Sequence, residues 1–552
     1  MAQYTIGIDF GSLSGRSVLM NAQTGEVLAS SVCEYKHAVM SEALPCGKPL
    51  ELHSALQHPA DYIEVLQKTI PDVCLKANIA TDQIIALGFD FTACTMLSLD
   101  DQGTPLCFHE KFRCEPHAYG KLWKDHTAQA EADEVNRLAS LRGEAWLDIY
   151  GGKVSSEWML PKILKICKDA PRVYQATARF SEAADWIYRV LTGIEIHSVP
   201  FAGYKNLWNA ETGYPDSDFY EALHPDLKNL IGTKVSSVIT PITDRSGKLS
   251  KQGAKLTGLK EGISVSVPVL DSHASMPTLG LTNEGSLMLI LGTSACHVLN
   301  AKRKMNIPGI CGYVYGGAVP NLYTYEAGQA CCGDHFAWFV QNGVPYTYWE
   351  DAKKLGLGIH AYLRQKANRL KPGESGLLAL DWFNGNRSGL SDSDLTGMIL
   401  GMTLRTKPEE IYRALIEATA YGTKMIVETF VQSGLAVDRI VASGGIAEKD
   451  EMLVQIYADV LNRPIAVSRA NYSGAMGSAM YAAVAAGIYE NITEASTLLS
   501  VKEEICYTPI QENVRIYDRL YEEYRVLHDY FGKGENNVMK RLSAISKSNK
   551  TT

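Results

Sequence analysis

Tyr4-Thr5-Ile6-Gly7-Ile8-Asp9-Phe10-Gly11-Ser12 is an apolar run that ends in an acid, a glycine and a serine. Tyr4 to Ile8 alternate as a half-buried strand does, Asp9 ends the run, Gly11 permits a tight turn, and Arg16 to Met20 form an apolar return strand. Taken alone, this is a β-hairpin with a polar tip. The plan recurs, however: Leu287-Met288-Leu289-Ile290-Leu291 runs into Gly292-Thr293-Ser294 and comes back through His297-Val298-Leu299. A second echo links Ile84 to Asp90, opening onto Phe91-Thr92-Ala93-Cys94, with Ile440-Val441-Ala442-Ser443, opening onto Gly444-Gly445-Ile446-Ala447. In both, a buried strand meets a turn of small residues. Two weakly similar halves of this kind predict duplicated α/β domains facing each other across a cleft.

Between the halves lies Pro268-Val269-Leu270-Asp271-Ser272-His273, a strand that runs out into a carboxylate with a hydroxyl and an imidazole beside it. An aspartate so placed can take a proton from an alcohol, and it can equally cap a turn or a helix. The glycine-hydroxyl turns weight the first reading. In a functional reading of the first hairpin, the N–H groups and hydroxyls of Gly11, Ser12 and Ser14 face phosphate, Arg16 adds charge, and Asp9 holds Mg²⁺ through water.

Other stretches offer polar groups beside aromatic plates, as sugar sites do. Trp123-Lys124-Asp125-His126-Thr127 heads a helical run from Ala128 to Leu141, and is also readable as a plain amphipathic helix entry. Residues from Ser155 to Ile194 are helical by period. Lys205 stands between Tyr204 and Trp208, placed either to bind hydroxyls or phosphoryl charge or to snorkel to the surface. Tyr325-Glu326-Ala327-Gly328-Gln329 and Asp381 to Arg387 read as loops. Thr406 to Glu409 form a capping box ahead of a core helix that Gly434 stops, and Ser443-Gly444-Gly445 feeds a helix from Asp450 to Leu461 whose amino end suits a nucleotide. Ser473 to Ala479 start a small-residue helix able to pack close to a neighbour.

With 552 residues the chain exceeds one ordinary core. By sequence it divides at 1–280, 281–500 and a C-terminal helix with a frayed tail over 501–552. A net charge of −8 without basic tracts argues against nucleic acid and anionic membrane. Twelve scattered cysteines lack zinc spacing and read as reduced thiols, hence a cytoplasmic protein. The first residues enter a strand at once, with no leader, and no apolar run spans a bilayer. A Walker-type loop is absent, and the one dinucleotide-like match, Gly356 to Ala361, follows a helical segment rather than a strand.

The turns together resemble the actin-like, or ribonuclease-H-like, ATPase superfamily, and within it the FGGY carbohydrate kinases. Gly397-Met398-Ile399-Leu400-Gly401-Met402, with Glu410-Ile411 and Ala414-Leu415-Ile416-Glu417, is similar to that family's C-terminal signature. The likeness extends along nearly the whole chain through Ser155-Ser156-Glu157-Trp158, Lys205-Asn206-Leu207-Trp208, Gly309-Ile310-Cys311-Gly312, Glu326-Ala327-Gly328-Gln329 and Leu380-Asp381-Trp382-Phe383-Asn384-Gly385. It is nearest to the members that phosphorylate L-ribulose in L-arabinose catabolism. The resemblance implies two actin-like domains with a cleft, ATP and Mg²⁺ as cofactors, and a sugar substrate. It further implies Asp271 as base, with Asp9 and Asp271 toward the metal. Ala93, Trp123, Lys205, Asp271 and Glu326 would hold the ketopentose, and Gly11, Ser12, Arg16, Gly292, Thr293, Gln329, Gly444, Gly445 and Lys449 would surround ATP. Lys449 replaces an asparagine common in the family, and Phe91 stands where a small polar residue is expected. A homodimer is left open.

Three rivals remain at this stage. A non-catalytic actin-like ATP switch would have no use for Asp271, Lys205 and Glu326 as sugar-facing groups. A kinase for xylulose, ribitol or glycerol would differ only in pocket shape. A zinc or redox protein fails on cysteine spacing.

Overall fold

The structure is a computed structural model and describes residues 2–550. It resolves into two compact units that are not contiguous in sequence. The first gathers residues 1–283, 313–324 and 470–501, and the second 284–312, 325–469 and 502–552. The linear division at 280 and 500 does not show that residues 313–324 and 470–501, which include the small-residue helix Ser473–Ala485, group with the first unit, nor that 502–552 group with the second.

In the first unit the sheet order is Ser264–Val265, Ile84–Phe91, Tyr4–Phe10, Ser14–Asn21, Val27–Glu34. The hairpin pairs antiparallel from Tyr4 with Asn21 to Phe10 with Gly15. Ile84–Phe91 runs parallel to its first strand, in a register that sets Asp9 beside Asp90 and Phe10 beside Phe91. Val269–Leu270 joins the same strand in parallel, Leu270 opposite Phe91, so Asp271 follows one step beyond the strand end.

The second unit repeats this plan. Its sheet order includes Tyr323–Gln329, Ala295–Ala301, Ser286–Leu291, Arg439–Ser443, Ile465–Ser468 and Glu504–Tyr507. The hairpin Ser286–Leu291 with Ala295–Ala301 is antiparallel, and Arg439–Ser443 runs parallel to its first strand. The duplication predicted from the two echoes is thus a duplication of topology.

Close approach explains the small residues of Ser473–Ala485. A Cβ on Gly7 would lie 1.8 Å from the Ala475 carbonyl oxygen, and one on Gly88 2.1 Å from that of Ser478. This helix lies on both central strands, and at Gly477 it touches the helix Asp271–Thr278, where a Cβ would sit 1.7 Å from Ala274 O.

Several local expectations need correction. The stretch from Ser155 to Ile194 is not continuously helical: helices Met159–Asp169 and Pro171–Ala176 are followed by a strand, Arg179–Glu182, before helix Ala183–Thr192. That strand pairs with Met96–Leu99, and its alternation of half-buried and buried residues overrides the helical period. The long helix Pro408–Gln432 is capped one residue later than Thr406, with Glu410 Oε2 accepting from Lys407 N at 2.6 Å. The tail beyond Gly532, expected to fray, forms the helix Val538–Lys550, with Met539 buried. Cys46 and Cys114, 68 residues apart, are joined in a disulfide, so the reading of all twelve thiols as reduced fails for that pair, which sequence spacing could not reveal. Among the described residues no helix is long and apolar enough to cross a membrane.

Candidate active site

In the first unit, three acids end three adjacent parallel strands: Asp9, Asp90 and Asp271. Asp90 is fully buried. Burial, then the neighbouring Asp9 charge, hold its carboxyl well above the ordinary carboxylate range, although the Ser478 hydroxyl donates to its Oδ2 at 2.7 Å. Asp9 and Asp90 stand opposite each other in the strand register, so the Asp9 charge adds to the cost of ionising Asp90. Asp9 is itself raised by burial, an effect opposed by Arg16, whose Nε lies 3.4 Å from Asp9 Oδ2. Asp271 is partly accessible at the first turn of Asp271–Thr278, and its Oδ1 accepts from Ser272 N at 2.7 Å. It is the first helical residue and not the cap, which is Leu270, and it stays a partly accessible carboxylate.

Ser12 sits at the tip of the hairpin. Gly11 N donates to Ser14 O at 3.0 Å, so that N–H closes the turn and does not face outward as expected. The Ser12 hydroxyl accepts from Trp123 Nε1 at 3.1 Å, and Ser12 O accepts from Gln57 Nε2 at 2.7 Å. Trp123 and the hairpin tip are thereby one assembly. Gln57, itself held by the Tyr62 hydroxyl at 2.6 Å, had no signal in the sequence beyond its polarity.

Lys205 ends the helix Val199–Lys205 and is buried, with Nζ 5.7 Å from the centre of the Trp158 ring, so it does not snorkel. Phe91 is also displaced from its expected place. It is fully buried and stacked on Phe10 at 4.9 Å, pointing into the core. Strand alternation dictates this, because Asp90 and Phe91 must point to opposite faces. In the turn that follows, Thr92, Cys94 and Thr95 are buried as well, and Ala93 is half-buried.

The second unit brings the other turns together. Gly292 N closes its turn onto Ser294 O at 3.0 Å, two residues on, a tighter turn than the one closed from Gly11 N to Ser14 O. The carbonyls of Gly292 and Thr293 accept from the first N–H groups around helix Gly333–Gly343, at 2.8 Å from Gly333 and 2.9 Å from Cys332. Gly444 has φ +93°, and a Cβ there would meet Leu291 O at 2.7 Å, so the Gly444-Gly445 turn rests against the strand leading into Gly292. Gly445 and Lys449 are exposed. The amino end of helix Glu451–Leu461 is already capped, Asp450 accepting from Leu453 N at 3.1 Å, which leaves the turn rather than the helix end open to a ligand. Glu326 is buried on Tyr323–Gln329.

Gln329 is engaged at both ends. Its amide donates to Asp381 Oδ2 at 2.7 Å and to Thr419 O at 2.9 Å, and its oxygen accepts from Thr423 at 2.8 Å. Burial raises Asp381, which also receives the Tyr524 hydroxyl at 2.8 Å. This buried network supports the sheet and leaves Gln329 no group to offer a nucleotide.

The two repeated sheets, each with a hairpin and a parallel neighbour, and the acids at the strand ends define a phosphotransferase of the actin-like class. Residues 4–277 match the N-terminal domain, and residues 287–486 the C-terminal domain, of the FGGY family of carbohydrate kinases. The chain belongs to that family. Among curated relatives, a ribulokinase from Bacillus licheniformis is 49% identical over 97% of both chains. A ribulokinase from Geobacillus thermodenitrificans is 48% identical over 98% of this chain and 96% of its own. The crystal structure of xylulose kinase from Rhodospirillum rubrum superposes with a TM-score of 0.78 at 23% identity, covering 95% of this chain and 98% of that one.

Proposed function

We propose that the protein transfers the γ-phosphoryl group of ATP to the terminal hydroxyl of L-ribulose, giving L-ribulose 5-phosphate and ADP, within L-arabinose catabolism. The observation that carries the choice of sugar is the near-full-length likeness to proteins named ribulokinase. Asp271 is the base. Phosphoryl transfer has a loose transition state, so most of the catalysis is positioning and charge stabilisation, and the base takes the proton late. Ala93, Trp123, Lys205 and Glu326 hold the ketopentose. Ser12, Arg16, Gly292, Thr293, Gly444, Gly445 and Lys449 hold ATP, with Gly11 and Gln329 among the residues around it.

Asp9 and Asp271 suit Mg²⁺, since a hard cation seeks oxygen donors and both carboxylates stand at strand ends of one sheet. When bound, the ion would neutralise phosphate oxygens. A cytoplasmic setting fits ATP supply and the ten free thiols.

A coupled ADP-release assay across pentuloses and pentitols tests the reading. L-Ribulose should show the highest kcat/KM. Faster turnover of xylulose or ribitol would overturn it, and ATP hydrolysis indifferent to every sugar would favour the switch.

A further inference from the structure

Lys162, on helix Met159–Asp169, is wholly buried, an unusual place for an ammonium group. Its Nζ donates to three backbone carbonyls, Cys94 O at 2.7 Å, Leu122 O at 2.9 Å and Lys121 O at 3.3 Å. Three acceptors match the three N–H bonds of the charged form. Two segments distant in sequence therefore converge on one cation.

Each clamped segment carries, as the very next residue, an accessible one assigned to the sugar. Ala93 precedes Cys94 and Trp123 follows Leu122; both are half-buried, whereas Cys94 and Leu122 are buried. The Cys94 backbone also needs holding. It has φ +60°, a left-handed conformation costly for a residue with a Cβ. The hydroxyls of Thr92 and Thr95, 2.8 Å apart, brace the same turn. On the other segment, Trp123 reaches Ser12, so the clamp sets the spacing between the turn at Ala93 and the tryptophan beside the hairpin tip.

The charged groups around Nζ are balanced. Buried Asp125 and Glu182 attract it, and Lys121 repels it. Burial pushes Glu182 up to about 8 despite Lys162, while Asp125 stays below its ordinary range because Lys121, Lys162 and the Thr127 hydroxyl outweigh its burial. A lysine used only to fill the core would serve better as methionine, without the desolvation of a cation.

We propose that Lys162 is a positioning residue for the sugar: by clamping the backbone on either side of the pocket wall it sets the distance between Ala93 and Trp123, and with it the discrimination among ketopentoses. This rests on the ketopentose reading above.

The test compares wild type, Lys162→Met and Lys162→Arg for kcat, for KM of L-ribulose and of ATP, for the preference between L-ribulose and its epimers, and for thermal stability. In Lys162→Met the chain keeps its length and loses its donors. We expect KM for L-ribulose to rise about 10- to 100-fold, KM for ATP to stay within about 2-fold, and the epimer preference to shrink. Lys162→Arg should give a smaller rise, and takes the place of the methionine variant if that does not fold. An unchanged sugar KM and epimer preference in a folded variant overturns the proposal. So does a parallel rise of both KM values, or failure of both variants to fold, since either marks a purely structural lysine. Wild type that phosphorylates no ketopentose overturns the functional reading instead, so the two failures are distinguishable.

Discussion

Asp9 and Asp90 stand in the same register of two neighbouring parallel strands, and burial together with the Asp9 charge holds the Asp90 carboxyl well above the ordinary carboxylate range. Two like-charged groups so close cannot both ionise at little cost, and the more deeply buried one keeps the proton. Asp90→Asn keeps the shape and the acceptor for Ser478 and carries no ionisable group, so it should fold with near-normal stability. Asp90→Ala strands the buried Ser478 hydroxyl and should lose about 1–3 kcal/mol in urea unfolding. The pH dependence has a definite sign. Above the ordinary aspartate value of 3.8 the unfolded chain releases this proton and the folded chain keeps it, so the contribution of Asp90 to stability falls as pH rises toward its folded pKa. Asp90→Asn should remove that slope, and unfolding curves between pH 5 and 8 measure it.

Asp271→Asn keeps the shape of the strand end and removes the base. We expect kcat to fall about 10²- to 10⁴-fold. Sugar affinity by calorimetry should change only a few-fold. Turnover near that of wild type would rule Asp271 out.

Gly477 is where the small-residue helix touches Asp271–Thr278, and a methyl group there would lie 1.7 Å from a backbone oxygen. Backbone cannot yield as a side chain can. Gly477→Ala should cost about 3 kcal/mol or more, the upper end for overpacking, and should lower activity by moving the Asp271 helix. Circular-dichroism melting alongside kcat checks both.

His297 and His335 are buried, and burial lowers each to about 3. Both stay neutral in the fold, whereas the unfolded chain binds protons near 6.5. Their contribution is complete above pH 6.5 and is lost as pH falls toward 3, at about 1.4 kcal/mol per pH unit for each group. His335 lies against Phe336 and Phe383, so His335→Phe fits an aromatic site and should make acid unfolding less steep. An unchanged acid limb would refute the assignment.

Much of this architecture could be read from residue order. Apolar alternation ending in Asp9-Phe10-Gly11-Ser12, and its echo at Gly292-Thr293-Ser294, reflects period-two burial and the freedom of glycine at a turn, both local properties. The helix Pro408–Gln432 and the packing capacity of Ser473–Ala485 were legible for the same reason. Local rules also failed in places. Arg179–Glu182 is a strand because Met96–Leu99 lies beside it, although its local period reads as helix.

Long-range partners were invisible in one dimension. Nothing near Lys162 announces Cys94, Lys121 and Leu122; nothing near Gln329 announces Asp381 and Thr423; nothing near Cys46 announces Cys114. Residue order was enough for the two hairpins, their turns and the place of Asp271 at a strand end, since each depends on neighbours within a few positions. Only the folded chain could say which buried charge meets which carbonyl, because hydrogen bonding and desolvation depend on distance in space, and the backbone between such partners is free to take any path that brings them together.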